Sequence, residues 1–187
     1  MNELFAAQIF EWWPEARCIH IVRDPRDNFV SYRRKHSDWS AEFFARNWRR
    51  STRAGLANRE RYGEARYRIL RYEDFVRDPE AAIRDLCAFL GIDDDPSLRR
   101  PTRGGKAWSG NSMFAERFDG ISASAVARWR ESLAGEELYW LESLAGSEMR
   151  RMGYPLEART VPLSVRARVL AARIGLGLRQ SLAKFIR

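Results

Sequence analysis

The chain has 187 residues, with 33 Lys and Arg against 25 Asp and Glu, a net charge of +8, and 45% apolar residues. With 31% charged residues, 7 Trp and 10 Phe it can build one core of ordinary size, which excludes a disordered chain, and no apolar run reaches the ~20 residues of a membrane-spanning helix. Its two cysteines, Cys18 and Cys87, lie in core-like segments without metal-binding or redox spacing, so a reduced, cytoplasmic protein is expected; no signal peptide, repeat or low-complexity tract is read.

The first expected element is a helix near Asn2 to Trp13, on which Leu4, Phe5, Ile9 and Trp13 form a periodic apolar stripe and which Pro14 closes. The run Cys18-Ile19-His20-Ile21-Val22 reads as a buried strand. Asp24-Pro25 then opens a helix: Asp24 caps orphan amides, Pro25 suits the first helical position, and Asp27 favours the positive helix end. Arg23 therefore sits where a strand stops and a helix starts. Such a junction offers backbone N–H groups and a favourable dipole to an anion, and Arg23 adds a fork of donors matched to phosphate. Ser31 lies two turns on, with its side chain tilted back toward that end. The residues read as a phosphate site formed by Arg23 and Ser31, against the alternative of an ordinary strand-to-helix turn. His20 is expected to be a satisfied core histidine, and His36 closes a helix, where positive charge suits the dipole.

A long helical stretch through Trp48 leads to a second strand, Tyr67-Arg68-Ile69-Leu70-Arg71-Tyr72. The helix after it is well punctuated: Asp78 caps it, Pro79 starts it, Ile83, Leu86 and Leu90 give it an apolar face, and Gly91 ends it. The segment Arg103-Gly104-Gly105-Lys106 supplies two cations and many backbone donors, and reads either as a loop that wraps a phosphate or as a solvated surface loop. It is no Walker loop, because no hydroxyl follows Lys106 and no strand precedes it. Val126, Trp129 and Leu133 share one helical face, as do Leu138, Leu141 and Ala145 on the next helix, and Gly153 stops that one. The chain divides into a domain over 1–157 and a tail over 158–187. The tail holds seven cations and no acid, leaving +1 to the rest, so the net charge is not read as nucleic-acid binding. If the tail is helical from about Leu163, then Leu163, Ala167, Leu170, Ile174, Leu178, Leu182 and Phe185 share one face with arginines beside it. That layout is one of a helix at a membrane surface and also of a helix packed on its domain or a partner protein; packing is the favoured reading, because Gly175 and Gly177 weaken an isolated helix and most amphipathic helices face a core.

The segment Arg23-Asp24-Pro25-Arg26-Asp27-Asn28-Phe29-Val30-Ser31 resembles the 3'-phosphate-binding motif of the sulfotransferases that use 3'-phosphoadenosine 5'-phosphosulfate (PAPS). In that family an arginine at a strand end and a serine eight residues later hold the 3'-phosphate, positions that Arg23 and Ser31 match. Tyr72-Glu73-Asp74 is similar to the family's strand ending, whose tyrosine lies near the adenine, and Arg103, Gly104, Gly105 and Lys106 stand where the family carries a loop closing over the 3'-phosphate, although their order departs from its pattern. The closing helices to Gly153-Tyr154 look like those of bacterial-type members. The resemblance implies an α/β fold, a parallel sheet flanked by helices, and sulfuryl transfer from PAPS to a hydroxyl or amine acceptor without a metal. The acceptor, whether small molecule, glycan, lipid or protein, is not named by it.

The family begins with a strand and a Gly-, Ser- and Thr-rich loop for the 5'-phosphosulfate, and no such loop precedes Ile19. The chain is therefore expected to be truncated at its N-terminus, and no catalytic residue is assigned, since the family's base lies upstream. A noncatalytic nucleotide-binding remnant or half of a split enzyme is the first alternative. A basic peripheral membrane or nucleic-acid binder acting through the tail is the second.

Overall fold

The computed structural model describes residues 2–108, 110–111, 116–117, 120–157 and 160–185, the side chains of 110–117 and 176–185 excepted. A short 3-10 turn, Asn2–Phe5, runs into helix α1, Ala6–Trp12. The buried side of α1 is Ala6 and Phe10, one turn apart, set against Tyr67. The stripe expected from periodicity faces elsewhere: Leu4, Phe5 and Trp13 are exposed.

Strand β1, Cys18–Val22, pairs in parallel with β2, Tyr67–Arg71, with Cys18 opposite Tyr67 and Val22 opposite Arg71. The crossover between them consists of helices α2, Pro25–Arg33, and α3, Ala41–Tyr62. Ser40 caps α3 by accepting from the Phe43 N–H at 3.1 Å, and Gly63 ends it at φ 75°, a left-handed backbone that suits glycine. One face of β1 lies under α3. There Gly55 lets the helix approach so closely that a Cβ added to it would stand 2.1 Å from His20 Nδ1. The apolar run is not buried throughout, however. Ile19 is 37% and Ile21 61% exposed.

Beyond β2 the chain turns at once into α4, Tyr72–Arg77, so Tyr72 begins a helix where a strand end was expected. Helix α5, Pro79–Leu90, follows, with Asp78 accepting from the Ala81 N–H at 3.0 Å and Gly91 closing it in the left-handed region. It buries Ile83, Cys87 and Phe89, whereas Leu90, expected on the packed face, is exposed. Phe89 sits beneath the Arg68 guanidinium of β2, 5.0 Å from it.

Two antiparallel pairs of two-residue strands follow: β3 Thr102–Arg103 with β4 Lys106–Ala107, and β5 Gly110–Asn111 with β6 Glu116–Arg117. Val126 belongs to a run of turns, and only Trp129–Ser132 forms a helix, α6. Helix α7, Gly135–Arg151, opens with the Glu137 carboxylate accepting the Ala134 N–H and packs along α3. The main core lies between these two helices: Phe44, Ala45, Trp48 and Leu56 of α3 meet Leu141, Leu144, Ala145 and Met149 of α7, with Val22 and Phe29 from the β1–α2 unit. The last helix, α8, Leu163–Phe185, joins this core through Val165 and Val169. The architecture is the helix-rich α/β fold that the sequence implied.

Candidate functional site

The junction between β1 and α2 is held from two other elements and by its own cap. The Trp48 indole N–H donates to the Arg23 carbonyl at 2.9 Å, and the Asp24 N–H donates to Glu73 at 2.8 Å. Asp24 caps α2 as expected, accepting from the Arg26 N–H at 2.9 Å, with Pro25 at the first helical position. The local signals were sufficient here because a cap, an N1 proline and a first-turn acid are properties of adjacent residues.

Arg23 stands at the mouth of this junction. Its guanidinium lies 4.7 Å from the centre of the Tyr72 ring and donates to the Ala125 carbonyl at 2.9 Å, while its Nε–H is buried with no hydrogen-bond partner. A buried donor left without an acceptor costs ~1–3 kcal/mol, so this N–H calls for an anion or another acceptor to complete it. The residues present therefore fit a phosphate group at Arg23. Ser31 is buried on α2, two turns further on.

The remaining residues of the motif are buried too, for reasons that adjacent sequence does not contain. Arg26 is 2% exposed: it pairs with Asp24 at 2.6 Å and with Glu142 of α7 at 2.8 Å, donates to the Pro155 carbonyl, and lies 4.1 Å above the Trp129 ring. Removing one member of such a cage strands a buried charge. Asp27, read as a dipole partner, accepts instead from two backbone N–H groups, Ala127 at 2.7 Å and Trp129 at 2.9 Å. Burial pushes its carboxyl up, and those two hydrogen bonds pull it back part of the way. Ala127 is held at φ 65°, a strained conformation for a residue with a Cβ. Glu73 is buried and takes a second donor, the Tyr154 hydroxyl at 2.7 Å; burial and the Glu73 charge push that phenol well above its ordinary range. Glu142, Trp129 and Tyr154 had no signal as site supports in the sequence, since each acts across about a hundred residues or more, or from another helix.

Arg103, Gly104, Gly105 and Lys106 form an exposed β3–β4 hairpin, with both glycines at positive φ. Among the described residues the hairpin makes no hydrogen bond or ion pair to Arg23 or Tyr72. Arg23 and Tyr72 are thus brought together.

Beside Arg23 opens a cavity of about 200 Å³, lined by Val22, Asn28, Tyr32, Trp39, Asn47 and Ser51 among others. Tyr32, His36 and Trp39 stack nearly parallel, with centroids 4.9 to 6.0 Å apart. His20 also borders this cavity, but it is a core histidine as expected: its Nδ1 is 3.2 Å from the Tyr67 hydroxyl, and burial pulls its pKa down.

A profile described as the sulfotransferase family matches residues 2–96, just over half of the chain. The chain belongs to the sulfotransferase family. The match covers β1, Arg23, Ser31 and Tyr72 and ends before the hairpin cations. Carbohydrate sulfotransferase 5 of Mus musculus is 31% identical over 163 residues, which is 74% of this chain and 41% of the mouse protein. The chain thus spans about four-tenths of the length of that curated relative. The sulfotransferase domain from the curacin biosynthetic pathway superposes with a TM-score of 0.63 at 20% identity, over 83% of this chain and 59% of that domain, a likeness of fold.

Proposed function

We propose that this sulfotransferase-family chain binds PAPS through Arg23, Ser31 and Tyr72 and serves sulfuryl transfer to a glycan hydroxyl. The observation that carries the reading is the buried, unpartnered Nε–H of Arg23 at a strand-to-helix junction beside an aromatic ring. Arg23 and Ser31 address the 3'-phosphate, and Tyr72 offers a face to the adenine. The β3–β4 hairpin, with Arg103, Gly104, Gly105 and Lys106, moves in over the same phosphate when the nucleotide is bound. In the reaction an acceptor oxygen attacks sulfur in line as the bond to the 5'-phosphate oxygen breaks. The electron pair leaves with adenosine 3',5'-bisphosphate, and the hydroxyl proton passes to a base that is not assigned to a residue. Positioning and charge stabilisation do most of this work.

The acceptor class is supported by the name of the mouse relative and by the cavity beside Arg23. At about 200 Å³ it falls below the roughly 300–1,000 Å³ of a site for a drug-sized molecule, so it takes one ring of an acceptor. Its wall combines the flat face of an aromatic stack with Asn28, Asn47 and Ser51, amides and a hydroxyl suited to sugar hydroxyls.

Calorimetry tests the nucleotide half. The chain should bind adenosine 3',5'-bisphosphate more tightly than adenosine 5'-monophosphate, and Arg23→Ala should remove most of that difference, about 1.5–3 kcal/mol for a charge-assisted contact. Equal binding of the two nucleotides by the unaltered chain overturns the assignment. Transfer of labelled sulfate from PAPS to glycan acceptors, in preference to lipid and peptide hydroxyls, tests the other half.

A further inference from the structure

Helix α8 presents two apolar faces, and only one of them is used. Val165 and Val169 are buried against the α3–α7 core, with Ala172 partly buried beside them. Arg168, on the edge of that face, pairs with Glu136 of α7, and the Ala172 carbonyl accepts from Arg46 of α3. The stripe that the sequence period singled out points the other way. Leu163 is 77% exposed, Leu170 58% and Ile174 56%. At 100° per residue these three fall within about 40° of one another, and Arg166 and Arg173 lie together along one side of them.

An outward apolar line on a helix already docked by its opposite side is not explained by the fold. Its surroundings indicate what it meets. From residue 158 onward the chain has seven cations and no carboxylate, while the rest of the molecule is nearly neutral. The helix is 23 residues long, roughly 34 Å at 1.5 Å per residue, and no helix among the described residues is long and apolar enough to cross a membrane. A straight apolar line, cations beside it and no acid complement a broad, flat, negatively charged surface with an apolar layer beneath. A lipid leaflet containing anionic headgroups has that composition.

We propose that the outward face of α8 docks the protein on anionic membranes, with Leu163, Leu170 and Ile174 entering the acyl boundary and Arg166 and Arg173 lying at headgroup level. The face that packs on α7 stays packed, so docking requires no unfolding of the domain.

The test is sedimentation of the full chain with sucrose-loaded vesicles of phosphatidylcholine containing phosphatidylserine, beside vesicles of phosphatidylcholine alone. Binding should be at least tenfold tighter to the anionic vesicles and should weaken as salt is raised. The pair Arg166→Gln and Arg173→Gln should lose roughly 10- to 30-fold in affinity, about fivefold per cation. Leu170→Asp with Ile174→Asp should abolish binding while the thermal melting point stays within a few degrees of the parent, since neither side chain is buried. The proposal is overturned by no binding to anionic vesicles, by binding that survives Leu170→Asp with Ile174→Asp, or by a stable dimer that those two substitutions dissociate. Tighter, salt-sensitive binding to RNA than to the vesicles, unaffected by the aspartates, also overturns it by assigning the charges to nucleic acid.

Discussion

At the scale of single residues, Ala127 shows how much the site asks of its support. The left-handed backbone costs a residue with a Cβ ~1–2 kcal/mol, and Asp27 holds it there by taking the Ala127 and Trp129 N–H groups. Glycine at this position would shed that strain but would widen the unfolded ensemble, a loss of ~0.4–1 kcal/mol. The strain is the larger quantity. Ala127→Gly should therefore raise the melting temperature by about 1–3 °C, at ~2–4 °C per kcal/mol for a chain of this size, and a scanning calorimeter will show it. Arg23 and Arg26 make the complementary point. Arg23 is left with an unpaired buried donor, and Arg26 is caged by two carboxylates and an indole. The place of Arg23 at a strand-to-helix junction was legible because strand, cap and proline lie within three residues of it. The cage around Arg26 was not, because Glu142 and Trp129 are more than a hundred positions away.

Between elements, α3 passes over β1 at one close point. Gly55 is the point of closest approach, and the His20 ring above it is fixed by its bond to the Tyr67 hydroxyl. Gly55→Ala gains helix propensity of about 0.8–1 kcal/mol, but it forces a carbon to within 2.1 Å of the ring unless the elements separate. Overpacking of this kind costs ~1–3 kcal/mol, so the net effect should be destabilising, seen as a lower urea midpoint with an unchanged slope. The order of elements from β1 to α5 was readable from caps, Pro and Gly, whose effects are local. Which face each helix buries was less so: α1 and α8 each carry two apolar lines, and periodicity alone does not say which one meets the core. That choice was made by Tyr67 for α1, and by the surface of α7 for α8. The exposure of Ile19 and Ile21 likewise depends on what neighbours β1, which a strand's own sequence does not record.

For the molecule as a whole, Glu73 and Tyr154 couple global stability to alkaline pH. The Tyr154 phenol is held well above its ordinary value of about 10, so its contribution is complete below that pH and is lost as pH rises beyond it, when the unfolded chain releases its proton first. Tyr67 is raised in the same direction by burial, and Cys18 likewise from an ordinary value nearer 9. The melting temperature should hold between pH 7 and 9 and then fall, with each affected group adding up to ~1.4 kcal/mol per pH unit. Tyr154→Phe should flatten that alkaline decline. At pH 7 the same substitution should cost about 1–3 kcal/mol, because a carboxylate oxygen of Glu73 loses its donor inside the protein.

The Asp27 clasp on Ala127 and Trp129 also has a consequence for how the protein is made. Residues 23–31 leave the ribosome well before the groups that complete the site, since the carbonyl that Arg23 grips, the amides that Asp27 holds and the phenol on Glu73 belong to residues 125, 127, 129 and 154. At roughly 5–20 residues per second, translation adds that later stretch only after about 5–25 s. Throughout that interval the motif that looks most complete in the sequence is an unfinished half, lacking the groups from residues 125 to 154 that later close around it.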